Sequence, residues 1–316
     1  MKRFVLLAAA LLFAAPALSQ YPNKPIRVVV PLGAGTSTDI VMRIIAQPLG
    51  QALGQTIVVE TKPGADGAIG AMDVMKAAPD GYTLLLATNS PLSSVPHLRK
   101  TPPYDPASDF TPISFVGNYT FFIVVNPGVP AKSLAELIGY ARANPGKLNY
   151  ATGNTTAIVS TAVFANLANI SIQHIPYKAE PPAIIDLLSG QIHLMFSSYS
   201  TVAAHLRDGK LRALVTTLPE RSPLLPDVPS IVEAGFPKYT IVPWAGMVGP
   251  AKMPKEVVER LSRELNAILK RSDVRESLAK QAFAPRGSTP EEMSGMIKEQ
   301  LGVWGKAIRD AGIQPE

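Results

Sequence analysis

The strongest constraint on the fold is the run Ile26 to Val30, closed at both ends by Pro25 and Pro31. β-Branched side chains crowd a helix and suit a strand. A short run of them, without polar alternation, reads as a strand covered on both faces. Thr56 to Glu60 and Thr83 to Ala87 repeat the theme. Between these strands, Asp39 to Leu53 places Ile40, Ile44 and Ile45 on one helical face, with an interruption expected at Pro48, which lacks the N–H a helix needs. Ala68 to Ala78 supplies a second helix after Gly64 and Gly67. Strand, helix, strand, helix, strand is the pattern of an α/β fold with a parallel sheet and right-handed crossovers.

The alternation restarts after Pro127. Ser133 with Glu136 forms a capping box opening a helix that runs to about Asn144. Leu148 to Ala151, Ile172 to Ile175, Ile192 to Phe196 and Leu211 to Thr216 then read as strands, with helices at Thr156 to Leu167 and Pro182 to Ser189. From Pro254 the chain is almost entirely helical: Lys255 to Lys270, Asp273 to Gln281, and a helix capped by Thr289 with Pro290 first and Glu292 completing the box. A helical tail cannot build a sheet-containing lobe alone, so it is expected to pack back on the first unit. The chain then crosses between two lobes near Phe121 to Asn126 and near Thr240 to Val248, and two extended crossings make a hinge. The expected lobes are 20–123 plus 244–316, and 124–243. A chain of 316 residues also exceeds what one core usually supports.

Lys2 and Arg3, the apolar stretch from Phe4 to Ala15, and the small residues Ala17 and Ser19 before Gln20 form a signal peptide over 1–19. That stretch is far shorter than the roughly 18 to 20 residues that span a bilayer. The mature protein is expected to be soluble and periplasmic. Removing Lys2 and Arg3 lowers the formal charge of +6 by two, and the remaining basic residues are scattered, which argues against nucleic-acid binding and suits the capture of small anions. There is no cysteine, which rules out a disulfide framework, a thiolate zinc site and a thiol nucleophile. The four histidines, His97, His174, His193 and His205, show no metal-ligand spacing, so neither a metal nor a cofactor is expected.

In open α/β sheets, ligands bind beyond the carboxyl ends of the strands. Four segments qualify. Leu32, Gly33, Ala34 and Gly35, followed by Thr38 and Asp39, link a strand to a helix with residues small enough for backbone N–H groups to approach an anion. The alternative is that Thr38 or Asp39 simply caps that helix, and the two roles are compatible. The dinucleotide fingerprint would need glycine where Thr38 stands. Thr88 and Ser90 flank Asn89 after the third strand, and Thr152, Gly153, Asn154 and Thr155 form another strand-to-helix turn rich in hydroxyls. The fourth pairs Tyr177 and Lys178 with Ser197 and Ser198, at the ends of two neighbouring strands.

Beyond these loops, the chain resembles the Bug family of periplasmic receptors of tripartite tricarboxylate transporters. The resemblance is carried by Pro79-Asp80-Gly81-Tyr82-Thr83, Asn149-Tyr150-Ala151, Ile175-Pro176-Tyr177-Lys178, Asp186-Leu187-Leu188 with Gly190-Gln191, and Pro226-Asp227-Val228-Pro229 followed by Glu233-Ala234-Gly235. It implies a two-lobe, hinged, type II periplasmic-binding-protein fold that holds a small carboxylate in the interlobe cleft and delivers it to membrane permease subunits. It further implies a monomer without chemistry of its own, and ligands among dicarboxylates, citrate, acidic amino acids, nicotinate-type and aromatic carboxylates. Three positions depart from the family pattern: Gly35-Thr36 replaces a Gly-Gly pair, Thr155-Thr156-Ala157-Ile158 replaces a Gly-Ser-x-x-His ending, and Ala179 stands where glycine often follows the lysine. Two other classes remain open on the residues. An exported hydrolase would need a nucleophile, a base and an oxyanion hole, and no Gly-x-Ser-x-Gly elbow is present. A ligand-sensing module for a membrane sensor would share the fold.

Overall fold

A computed structural model describes residues 21–177 and 180–315. The expected signal peptide and Lys178 and Ala179 lie outside the described residues. The first segment contains β1 (Ile26–Val30), α1 (Ser37–Leu53), β2 (Ile57–Thr61), α2 (Ala68–Met75), β3 (Thr83–Thr88), the short α3 (Val95–Leu98) and β4 (Phe110–Tyr119). The second contains β5 (Phe121–Val125), α4 (Leu134–Ala143), β6 (Asn149–Thr152), α5 (Thr155–Ala168), β7 (Gln173–Pro176), α6 (Glu180–Ser189), β8 (Leu194–Ser198), α7 (Tyr199–Arg207) and β9 (Arg212–Thr216). The third holds β10 (Trp244–Pro250), α8 (Lys255–Leu269), α9 (Ser272–Ala279), β11 (Phe283–Pro285) and α10 (Pro290–Asp310).

Two sheets result, one ordered β11-β4-β10-β3-β1-β2 and the other β7-β6-β8-β5-β9. β1 runs parallel to β2 and β3, and β6 runs parallel to β7 and β8, as the alternation predicts. Each sheet is also crossed by a reversed strand: β10 lies antiparallel to β3 and β4, and β5 lies antiparallel to β8 and β9. These reversed strands come from the segments expected to be extended crossings. Phe121 to Val125 is β5 itself, fully buried in the second sheet, and only Thr120 separates it from β4 in the first. The return runs from the end of β9 to Trp244, where β10 begins. A connection that pairs on both sides satisfies its backbone N–H and C=O groups inside the protein, which a bare linker cannot.

β10 is buried along its whole length and carries Gly246 and Gly249 at close approaches. A Cβ at Gly246 would lie 2.2 Å from Met293 Cε, and one at Gly249 would lie 2.1 Å from Met253 Sδ. Those contacts bring the tail onto the first sheet, where Met293 on α10 and Trp244 share a buried cluster with Val29 and Leu85. The cap at Thr289 forms as read: Thr289 Oγ1 accepts from Glu292 N–H at 3.1 Å, and Glu292 Oε2 accepts from Thr289 N–H at 2.8 Å. At Ser133 the box is incomplete, because Glu136 reaches back to Lys132 N–H and not to Ser133. Pro48 does not interrupt α1, which continues through it to Leu53. Its ring is buried in the core beside Leu49, so packing outweighs the lost hydrogen bond. α10 also reaches the other lobe, where Asn166 Nδ2 on α5 donates to Asp310 O at 2.7 Å. The protein is thus a two-lobe α/β fold, with the carboxyl ends of β1, β3, β6 and β8 supplying the facing turns.

Candidate functional site

The turn after β1 is braced from within. Thr36 caps α1; its hydroxyl donates to Gly33 O at 2.7 Å, and its oxygen faces Asp39 N at 3.5 Å. The cap therefore falls two residues before Thr38, and Asp39 does a different job. Its buried carboxylate accepts Gly35 N–H at 3.0 Å through Oδ2, and Oδ1 lies 3.0 Å from Arg43 Nε. Gly35 has φ of 76°, a left-handed turn that this carboxylate locks. Among the described residues, the N–H groups of Gly33, Ala34, Ser37 and Thr38 have no protein acceptor. They converge at the N-terminus of a 17-residue helix, where backbone donors and the macrodipole both favour an anion.

β3 ends beside this turn. Asn89 is buried and works in both directions: its Oδ1 accepts Trp244 N–H at 3.2 Å, and its Nδ2 donates to Thr156 Oγ1 on the second lobe. The Ser90 hydroxyl is committed to Asp66 O at 2.9 Å. Thr88 Oγ1 and Trp244 Nε1 are buried and have no hydrogen-bond partner among the described residues. Buried donors left unpaired cost on the order of 1–3 kcal/mol each, so a ligand that accepts from them gains that amount back.

The second lobe answers with three turns. Asn154 caps α5 by accepting Ala157 N–H at 2.9 Å, with Gly153 half-buried before it, and Thr155 Oγ1 is buried without a partner. Ser198 at the end of β8 meets the first lobe, because Ser37 Oγ lies 3.0 Å from Ser198 Oγ and 2.5 Å from Ser200 Oγ. With the Asn89–Thr156 bond, these contacts form a polar seam between the lobes. Ser197 Oγ donates to Glu180 Oε1 at the start of α6.

Two more expected ligand contacts are engaged elsewhere, as Ser90 is. The Tyr177 hydroxyl donates to Asp186 on α6, and Thr152 Oγ1 lies 2.6 Å from His174 Nε2. The His174 ring stacks on Tyr150 with centroids 5.0 Å apart, and burial holds its pKa below the usual histidine value. A hydroxyl beside a neutral imidazole begins a nucleophile–base pair, but among the described residues no carboxylate accepts from the other ring nitrogen to orient it.

Of the candidate residues, the structure brings Gly33, Ala34, Thr38, Thr88, Gly153, Asn154, Thr155 and Ser197 to the turns that face the seam. Leu32 is half-buried at the base of the first turn. Sequence reading placed Ser37 in the first turn but overlooked Ser200, Glu180 and Trp244, whose partners are far away in the chain. Among the described residues, no group of three or more His, Asp or Glu side chains is placed to hold a metal, and no helix is long and apolar enough to cross a membrane. Two shallow concavities, one beside Tyr21, Val257 and Arg260 and the other beside Arg43, Gln47 and Gly50, are lined by none of the seam residues.

Comparison with known proteins places the chain in a family. A family model described as tripartite tricarboxylate transporter family receptor matches residues 41–313. Protein BugT of Bordetella pertussis is 34% identical over 313 residues, covering 98% of this chain and 96% of its own. Among solved structures, R. palustris Rpa4515 with adipate superposes with a TM-score of 0.87 at 32% identity, covering 94% of this chain and 100% of that one. MatC from Rhodopseudomonas palustris with bound malate gives a TM-score of 0.81 at 29% identity, covering 91% of this chain and 100% of that one.

Proposed function

Because this chain belongs to the tripartite tricarboxylate transporter receptor family, whose members are periplasmic solute-binding receptors and not enzymes, we propose that it captures a small carboxylate between its lobes and presents it to the membrane permease subunits of such a transporter. The observation that carries this reading is the seam itself. Among the described residues, N–H groups without a protein acceptor at the α1 N-terminus and buried, unpaired polar groups on Thr88, Thr155 and Trp244 come from both lobes. Donors without acceptors on two facing walls suit an anion, and the helix N-termini add favourable dipoles.

In this reading, Gly33, Ala34, Ser37, Thr38, Thr88, Thr155 and Trp244 hold the ligand, while Thr36, Asp39, Asn89 and Asn154 hold those groups in place. The two lobes, divided at Thr120 and not at 123 because β5 pairs wholly within the second sheet, move about Thr120 and the return segment, and the hydroxyl bonds from Ser37 to Ser198 and Ser200 form on closure. The mature chain is a periplasmic monomer after removal of residues 1–19. Relatives bind adipate and malate, which supports a carboxylate of that size here. The test is the thermal unfolding midpoint of the exported protein against mono-, di- and tricarboxylates, amino acids and aromatic acids. A saturable rise with one carboxylate, with the compound recovered unchanged, supports the reading. Consumption of the compound would instead establish an enzyme.

A further inference from the structure

One acidic side chain at the seam has no role in holding a carboxylate. Glu180 opens α6 and accepts the Ser197 hydroxyl at the end of β8. Ser197 Oγ also lies 3.4 Å from Thr201 Oγ1. Ser198 Oγ in turn lies 2.5 Å from Thr201 Oγ1 and 3.0 Å from Ser37 Oγ on the opposite lobe. A chain of hydroxyls, Ser197, Thr201 and Ser198, therefore links the carboxylate to the line where the lobes meet. Among the described residues, no Lys, Arg or His forms an ion pair with it.

This arrangement has two consequences for a ligand. The carboxyl end of β8, beside the N-terminus of α7 that would otherwise favour an incoming anion, already carries the protein's own carboxylate, held by Ser197. The Ser197 proton is committed to Glu180, so its oxygen offers only lone pairs. Burial also holds the Glu180 carboxyl above the usual carboxylate range. The unpaired donors lie elsewhere, on the turns that open α1 and α5 and on Thr88 and Trp244. The cleft is polarised, with donors at one end and acceptors at the other.

We infer that Glu180 sets the substrate class: the ligand carries one carboxylate, held at the α1 and α5 turns, and a hydrogen-bond donor such as an ammonium, amide or hydroxyl at the end facing β8. This rests on the receptor reading of the seam and narrows it. A dicarboxylate of matching length would put its second charge against Glu180.

The experiment is titration calorimetry of the exported chain with length-matched pairs: adipate against 6-aminohexanoate, glutarate against 5-aminopentanoate, succinate against 4-aminobutyrate and 4-hydroxybutyrate. Wild type is expected to bind the donor-bearing member of at least one pair ten-fold or more tighter than its dicarboxylate. Glu180→Gln, which keeps the shape and loses the charge, is expected to shrink that ratio at least ten-fold. Equal or tighter binding of the dicarboxylates by wild type overturns the assignment of Glu180 and leaves the receptor reading intact. No binding of any compound by wild type overturns both. Should Glu180→Gln fail to fold, the wild-type ratio decides alone.

Discussion

Gly33→Ala separates the ligand cradle from the fold. A Cβ built at Gly33 meets no atom within 4 Å, and its φ lies outside the left-handed region. The folded protein should accept the methyl without strain, and lowering the entropy of the unfolded chain should leave stability equal or higher by up to about 1 kcal/mol. In the cradle the same methyl occupies the space through which an anion reaches the Gly33 and Ala34 N–H groups. Losing one charge-assisted hydrogen bond costs about 1.5–3 kcal/mol, which is roughly 10- to 150-fold in affinity. At a ligand concentration of about 100 times the wild-type dissociation constant, ligand stabilises wild type by about 2.7 kcal/mol, and the variant by about 1.4 to 0.3 kcal/mol. Gly35→Ala is the contrasting variant: its Cβ also meets nothing, but its φ is 76°, so it should lose about 1–2 kcal/mol of stability without ligand. Chemical denaturation with and without the best carboxylate reads both effects. Gly33→Ala that binds as tightly as wild type would refute the cradle, and one unstable without ligand would refute the packing on which it rests.

Asn89→Ala removes the bond to Thr156 and leaves Trp244 N–H without its acceptor. It should cost about 1–3 kcal/mol, read as a lower urea midpoint, and a loss below about 0.5 kcal/mol would show that the seam bond is dispensable. The Glu180 carboxyl is raised above its ordinary 4.5, first by burial. A raised acid binds its proton more readily folded than unfolded, so its contribution is full below the unfolded value and is lost as pH rises through the folded one. Glu180→Gln should therefore gain stability relative to wild type between pH 4 and 7, and parallel pH profiles would contradict this. His174 has the opposite sign: burial lowers it from 6.5, so its contribution is present above that value and is lost as pH falls. His174→Gln should flatten the decline in melting temperature between pH 7 and 5, and an unchanged slope would place the titration elsewhere.

Much of this was legible because local signals agreed with the global fold. β1 was read to its bounds, and the Thr289 cap formed with both of its bonds, since each depends on residues only a few positions apart. β10 was not legible as a strand. Trp244-Ala245-Gly246-Met247-Val248-Gly249-Pro250 carries two glycines and a proline, which normally weaken strands, and only the arrival of Met253 and Met293 explains why the glycines are needed. β5 was misread because a strand that switches sheets after a single residue looks like a connection. In the cradle, backbone donors followed from small residues between a strand and a helix, but the seam did not follow. Ser37 meets Ser198 and Ser200 across more than 160 positions, and Glu180 gains its meaning from Ser197 and Ser198. The commitments of Tyr177 to Asp186 and of Ser90 to Asp66 are tertiary facts of the same kind.

The central claim is that the seam binds a carboxylate reversibly through donors from both lobes. It is tested most directly by isothermal titration of the exported protein with the carboxylate panel, run beside the Gly33→Ala and Ser37→Ala variants. The account predicts one saturable site for at least one carboxylate, weakened about ten-fold or more in both variants and with the ligand recovered intact. Binding that both variants leave untouched, or no saturable binding of any carboxylate, would contradict it.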